Sequence, residues 1–267
     1  MHLVSGARWM RVKIGSIRKI SQTVSFLIFN LGLNSALKTG IICPGLYCYG
    51  CPFSTFACPI GVIQNYITLG RVPIYPAGTL GVYGVSIGRF LCGWICPFGT
   101  IQELLGKVKK QKSLNPKPIW FTKYIMLIIV LVSSWITLDT LFCKFCPSGS
   151  LFAAIPSKIL HPELPFGFFF YVHMLTLAVS IVLFIFVSRF WCRYLCPLGA
   201  IMGSFNRISI LKIERDPNKC TECGVCLRNC PVNIQKIRDI GVSSDCIMCG
   251  QCIDDCPLDA LKIKIHD

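Results

Sequence analysis

One phrase is written twice in this chain: GRFLCGWICPFGTI at 88–101 and SRFWCRYLCPLGAI at 188–201. Arginine, phenylalanine, two cysteines, proline, glycine and isoleucine recur at an offset of one hundred residues, each time after a hydrophobic run. Two cysteines per copy are half of a four-thiolate site. If the copies cooperate, the topology has to deliver both to the same face, and that demand restricts the fold more than any other feature.

The runs ahead of the copies show where that face lies. Residues 166–190 hold no charge before Arg189, and 119–142 are interrupted only by Lys123 and Asp139. Both exceed the roughly 20 apolar residues that cross a bilayer core. Two weaker runs occupy 20–42 and 74–91; the second carries Gly78, Gly81, Gly84 and Gly88, a spacing suited to close helix packing in lipid. A mean hydropathy of +0.60 agrees with a membrane protein. Four spans are predicted. No small-residue cleavage site follows the first run, which therefore reads as a retained anchor.

A net charge of +15 raises the question of nucleic acid, but its distribution argues against that partner. Arg8, Arg11, Lys13, Arg18 and Lys19 precede the first span, and Lys107, Lys109, Lys110, Lys112 and Lys117 fill the second loop. The intervening loops hold only Lys38, Arg71, Lys144 and Lys158. This is the positive-inside pattern. It predicts a multi-pass protein of the cell (inner) membrane, in contact with the lipid bilayer, with both termini in the cytoplasm.

Eighteen cysteines supply the chemistry. CTECGVCLRNCP from Cys220 and CIMCGQCIDDCP from Cys246 each follow C-x2-C-x2-C-x3-C-P, the run that holds [4Fe–4S] clusters in bacterial ferredoxins. The fourth cysteine of each run ligates the other cluster. One cluster is then assigned Cys220, Cys223, Cys226 and Cys256, the other Cys246, Cys249, Cys252 and Cys230. Zinc also takes four thiolates, but it usually pairs two short C-x2-C hooks. The flanks ISILKI and ALKIKI alternate as two short strands.

The remaining ten cysteines lie beside the spans. Four of them open a shared phrase: Cys58-Pro-Ile-Gly, Cys96-Pro-Phe-Gly, Cys146-Pro-Ser-Gly and Cys196-Pro-Leu-Gly. Proline suits the first turn of a helix, so each phrase predicts a ligand followed by a short helix. The N-terminal end of that helix favours an anionic thiolate cluster. Spans two and four run inward, delivering Cys92, Cys96, Cys192 and Cys196 to one inner-rim cluster. Spans one and three deliver Cys43, Cys48, Cys51, Cys58, Cys143 and Cys146 to the outer face. There the repeat favours Cys51, Cys58, Cys143 and Cys146 as ligands of a fourth cluster, with a disulfide as competitor. Cys43 and Cys48 are left to pair, substitute as ligands or hold a further metal.

The predicted fold is thus an α-helical membrane protein. Four transmembrane helices form an internal two-fold duplication in 1–207, with halves 1–100 and 101–200, followed by a C-terminal α+β two-[4Fe-4S] ferredoxin domain in 208–267. Arg89 and Arg189 precede the inner hooks by three residues. Snorkelling to the interface is the simpler role; the sharper one is that both cations favour a reduced cluster. His173, in the last span, is expected to pack against a neighbouring hydroxyl, with a quinone site as the alternative. His161 and Asp139 read as solvated.

CGWICP at 92–97, CRYLCP at 192–197 and the two ferredoxin runs resemble the NapH-type membrane polyferredoxins, from about Cys43 onward. That resemblance implies several spans, a cytoplasmic ferredoxin domain, and a role in respiratory electron transfer or in assembling metal cofactors of other enzymes. CPGLYCYGCPFSTFACP at 43–59 and CKFCP at 143–147 are additional to the family's minimal pattern, and they suggest that electrons reach the far face. No haem-attachment, dinucleotide or nucleophile-elbow motif is present. The expected function is an electron-transfer component of an oxidoreductase system, relaying single electrons between the ferredoxin domain and a redox partner protein in the membrane or outside the cytoplasm. The alternatives are a maturation factor that reduces a partner's metal cofactor, or a quinol dehydrogenase subunit. A redox sensor is a third class, which no signalling domain supports.

Overall fold

The computed structural model describes residues 13–32, 37–106, 121–163, 165 and 167–265. Its helices are Ile14–Phe29 (α1), Pro59–Thr68 (α2), Ile74–Ile87 (α3), Phe90–Trp94 (α4), Pro97–Gly106 (α5), Thr122–Thr137 (α6), Leu141–Phe145 (α7), Pro147–Gly149 (α8), Ile155–Leu160 (α9), Phe168–Phe186 (α10), Pro197–Ser204 (α11), Val225–Arg228 (α12) and Gln251–Asp254 (α13). π-helical turns occupy Ser150–Ala154 and Trp191–Leu195. Two strands, Leu211–Arg215 (β1) and Leu261–Ile265 (β2), pair antiparallel with Ile213 opposite Ile263. They close the C-terminal domain as the alternating flanks predicted, with the first strand starting three residues later.

The four longer helices run alternately away from and toward that domain. The Asp254 carboxylate accepts from the Ile14 and Gly15 N–H groups at the start of α1 (2.9 and 2.7 Å). In the last turn of α3, the Val85 carbonyl accepts from the Ile210 N–H (2.8 Å). α6 starts with Lys123 against Ser244 and Asp245, and just beyond α10 Ser188 donates to the Pro231 carbonyl.

Only α10, among the described residues, is long and apolar enough to cross a membrane; α6 is a shorter apolar helix. α1 and α6 have 16 residues and α3 has 14. Sixteen residues rise about 24 Å, short of the roughly 30 Å hydrocarbon core. The apolar run at 20–42 is not one helix: α1 starts earlier, at Ile14, and ends at the Asn30 cap. α3 stops at Gly88, whose φ is 52°, and α6 stops at Leu138 in the left-handed region. All four helices nonetheless carry outward apolar side chains, including Ile20, Val82, Ile128, Trp135, Leu175 and Val182.

Two further expectations change. Gly78 and Gly81 face open space, so the small-residue spacing is not a helix-packing stripe; only Gly84, under the Phe205 ring, and Gly88, against Asn206, are closely approached. Arg18 is buried rather than a solvated flanking cation. Lys13 and Lys19 are exposed, and the remaining basic flanks, Arg8, Arg11, Lys107, Lys109, Lys110, Lys112 and Lys117, lie outside the described residues.

Packing divides into two cores. One gathers Phe29, Leu46, Tyr47, Phe98, Phe142, Phe184 and Trp191 with Cys96, Cys146 and Cys196. The other gathers Ile213, Val232, Ile240, Ile247 and Leu261 with Cys226, Cys246 and Cys249 and with Cys92. Cys92 and Cys96 of one hook therefore belong to different cores, and the inner hooks form the joint between them.

Candidate metal centres

Pro59, Pro97, Pro147 and Pro197 each begin a helix, as the Cys-Pro-x-Gly phrases predicted. In each phrase the N–H four residues on (Val62, Thr100, Ser150 or Ala200) donates to the cysteine carbonyl at 3.1 Å. The glycine N–H (Gly61, Gly99, Gly149 or Gly199) turns to the cysteine sulfur. Each sulfur thus sits at a helix N-terminus and accepts from its free N–H groups, an arrangement that stabilises a thiolate.

In the ferredoxin domain the cysteines gather around two cavities. Cys220, Cys223, Cys226 and Cys256 line one small cavity; Cys230, Cys246, Cys249 and Cys252 line a second, which Cys226 also touches. The two loops are built alike. Glu222 and Met248 share positive φ, as do Gly224 and Gly250, and Asn233 and Asp259. Left-handed residues in such turns point successive N–H groups inward, a concavity that suits an anion. Burial pushes the free Cys246 thiol up to about 12, so a thiolate there needs a compensating positive centre.

At the opposite end, a cavity of about 530 Å³ is lined by Cys48, Cys58, Cys143 and Cys146. Cys48 occupies the place the repeat had suggested for Cys51. Cys51 instead turns into the core, where its sulfur contacts the Tyr47 hydroxyl (3.4 Å) and the Phe53 N–H (3.4 Å). Cys43 does not line this cavity; it packs on the core while its N–H donates to Ala57. All eighteen cysteines are free thiols, so the disulfide reading is not realised. Burial raises the Cys48 thiol to about 11, and burial together with Cys58 and Cys48 raises Cys143 to about 12.

Between these sites Cys92, Cys96, Cys192 and Cys196 lie close enough for electrostatic contact with one another. Arg89 and Arg189 cross over between the hooks. The Arg89 guanidinium donates to the Cys192 carbonyl (2.8 Å), and that of Arg189 to the Cys92 carbonyl (3.1 Å). Each passes over the glycine of the opposite phrase: a Cβ on Gly199 would meet Arg89 at 2.9 Å, and one on Gly99 would meet Arg189 at 3.2 Å. Both arginines are 1% exposed, which excludes snorkelling. Snorkelling needs the charged head in water.

Two half-buried carboxylates hold these buried cations. Glu103 pairs with Arg189 (2.7 Å) and Arg18, while Asp245 pairs with Lys123 and lies 3.8 Å from Arg89. Four cations against two carboxylates leave a surplus of two positive charges around the hooks. The Nε atoms of Arg89 and Arg189 are also buried without a hydrogen-bond partner among the described residues. Buried unpaired donors and surplus positive charge are the environment a thiolate-ligated cluster would complete, so the residues fit such a group.

Several site residues escaped the sequence reading. Gln102 donates to the Cys192 sulfur (3.1 Å) and Gln64 to the Cys143 sulfur (3.7 Å), each reaching the first cysteine of the opposite hook. A signal was available: both glutamines stand six residues after a phrase cysteine, in CPIGVIQ and CPFGTIQ. Glu103 and Asp245 were visible only as two of twelve acids, with Asp245 immediately before Cys246. His173 bonds Ser150 (2.9 Å), as expected of a packing histidine. His161 is exposed, its Nδ1 3.5 Å from the Glu163 carboxylate, and Asp139 forms a half-buried ion pair with Lys144.

No three His, Cys, Asp or Glu side chains among the described residues converge as they would on a single metal ion. Four cysteines spread around a cavity suit a multi-iron cluster better. Fold and sites together define an iron–sulfur protein with a ferredoxin domain and [4Fe–4S] clusters as cofactors. Comparison with known proteins sharpens this. A 4Fe-4S binding domain family matches residues 68–115, 119–159 and 165–215, and a 4Fe-4S dicluster domain family matches 212–257. Uncharacterized protein MJ0750 of Methanocaldococcus jannaschii is 30% identical over 238 residues, covering 84% of each chain. Ferredoxin-type protein NapH of Escherichia coli is 27% identical over 184 residues, 65% of this chain and 59% of that one. Methylamine utilization ferredoxin-type protein MauN of Methylorubrum extorquens is 27% identical over 188 residues, 64% of this chain and 59% of its own. No solved structure matches. The chain belongs to the NapH-like family of ferredoxin-type membrane proteins, an electron-transfer family.

Proposed function

We propose that the chain is a transmembrane electron relay with four cluster sites in a line. A four-span, internally duplicated membrane domain (1–207) carries two of them, and a cytoplasmic ferredoxin domain (208–267) carries the other two. The ligand sets are Cys220, Cys223, Cys226 and Cys256; Cys230, Cys246, Cys249 and Cys252; Cys92, Cys96, Cys192 and Cys196; and Cys48, Cys58, Cys143 and Cys146. Clusters of this kind supply one-electron chemistry over a wide range of potentials.

The observation that carries the reading is the pair of direct links between neighbouring sites. Trp94, inside the first hook, donates its indole N–H to the Met248 carbonyl (3.0 Å) in a ferredoxin binding loop. The Leu46 N–H, two residues ahead of Cys48, donates to the Cys96 sulfur (3.3 Å). The protein's part is to hold the ligands, neutralise their charge with buried arginines and exclude water. Redox partner proteins meet the two ends of the line. The outward apolar faces of α1, α3, α6 and α10 are the surfaces that lipid would cover.

Iron analysis tests the cluster count. Anaerobically purified protein should hold about 16 iron atoms, four per cubane site. Cys48→Ala should lower this to about 12, and Cys51→Ala should leave it unchanged. About 8 in the parent protein would confine metal to the ferredoxin domain and defeat the relay.

Topology is a separate test. A reporter fused after Lys158 should read the extracytoplasmic side, and one after Lys112 the cytoplasmic side. Both on one side would mean that α6 does not cross the membrane.

A further inference from the structure

Of the four Cys-Pro-x-Gly phrases, three place an apolar residue at the third position, namely Ile60, Phe98 and Leu198; the other places Ser148. Ser148 is buried, and its hydroxyl donates to the Leu46 carbonyl (3.0 Å). The Leu46 N–H donates to the Cys96 sulfur at the inner hooks. One residue, Leu46, is therefore held at both its N–H and its carbonyl, by an inner-site ligand and by a residue two positions past the outer-site ligand Cys146. Cys48 follows Leu46 by two residues on the same segment and lines the outer cavity. Gly45 lets the segment come this close: a Cβ there would meet the Phe29 ring at 3.2 Å, with the Cys96 Cα 3.8 Å away.

From these contacts we infer that Gly45–Cys48 is the electronic bridge between the inner and outer sites, and that Ser148 is its positioning residue. The inference rests on the relay reading above. Electronic coupling falls off less steeply along covalent and hydrogen bonds than across van der Waals gaps. The path from the Cys96 sulfur through the Leu46 N–H and the chain to Cys48 contains a single hydrogen bond and no gap. A branch returns from the Leu46 carbonyl through Ser148 to Cys146. In the step itself one electron leaves the reduced site and enters the oxidised one, with no bond made or broken and no proton moved. The N–H donor to sulfur also stabilises the more anionic, reduced state, one of the factors that set cluster potentials.

The first test needs no loss of contact. Protein labelled with 15N-leucine, with the inner site reduced, should show a 15N hyperfine coupling by pulsed EPR. The coupling should vanish in Leu46→Ile, which keeps the N–H but not the label, while iron content stays unchanged. A coupling that is absent, or that survives in Leu46→Ile, overturns the bridge.

The second test uses the full-length protein with all its iron. Ser148→Ala should slow electron transfer between the inner and outer sites several-fold after photoreduction of the ferredoxin domain, and Ser148→Thr should restore it. An unchanged rate in Ser148→Ala with full iron overturns the role of the serine while leaving the relay standing. A parent protein without outer-site iron overturns relay and bridge together, and iron analysis alone detects that case.

Discussion

Cys96→Ala and Cys196→Ala are each expected to remove the same cluster, about four iron atoms, and the double variant should lose no more than either alone. Independent sites would lose metal additively; residues that act as one unit do not. The structure gives the reason in its reciprocal contacts. Each hook contributes two cysteines, and each hook's arginine binds the carbonyl of the other hook's first cysteine. Neither half can complete a four-thiolate site alone, and removing one ligand exposes both arginines to an incomplete charge partner. Cys226→Ala should instead disturb a ferredoxin-domain signal and leave the inner-rim signal in place. Additive iron loss from the two hook variants would mean that each serves a separate centre.

Gly93→Ala is expected to disconnect the ferredoxin domain from the hooks without removing iron. A Cβ at Gly93 would lie 2.4 Å from the Ile247 carbonyl oxygen, in the binding loop between Cys246 and Cys249. Neither side can readily yield. The Gly93 carbonyl is held by the Arg18 Nε and the Gln22 amide, both at 3.0 Å, and Ile247 is fully buried. Overpacking of this kind costs about 1–3 kcal/mol. Here the cost falls on the contact that brings Trp94 to the Met248 carbonyl. Chemically reduced ferredoxin-domain sites should then pass electrons to the inner hooks far more slowly, as rapid-mixing spectroscopy would record. Gly167→Ala, where an added Cβ meets nothing within 4 Å, is the control and should match the parent protein. Unimpaired transfer in Gly93→Ala would place the electron entry route elsewhere.

Much of the site was legible because ligand loops are local. The two ferredoxin runs each place three candidate ligands within seven residues, and the run's own pattern supplies the fourth. Four prolines located four helix starts for a similarly local reason. The outer ligands were harder. CPGLYCYGC offers Cys43, Cys48 and Cys51 within nine residues, and spacing alone does not say which sulfur turns toward the cavity. That depends on Tyr47 packing into the core, its ring 5.4 Å from that of Phe29 and 4.5 Å from that of Phe152, which carries Cys51 inward and leaves Cys48 at the cavity wall. Span lengths were overread for a related reason. Apolar composition continues past Phe29 and Ile87, but the backbone turns there to bring cysteines and arginines inward.

By itself, the sequence determined the thiolate-rich iron–sulfur chemistry, the pairing of strands around the ferredoxin domain, and the recurrence of one cysteine phrase a hundred residues apart. Those properties follow from residue type and short spacing, which act within a loop or a helix turn. Only the tertiary structure decided what the likeness is used for. Residues 93 and 193 occupy the same place in the two hooks, yet Gly93 admits the ferredoxin domain while Arg193 lines a polar cavity beside Asp245. Arg89 and Arg189 read as flanking charges until their partners, about one hundred residues away, enclose them. Burial and charge pairing depend on what the rest of the chain brings to a side chain, and contacts over such distances leave no periodicity in the sequence to read.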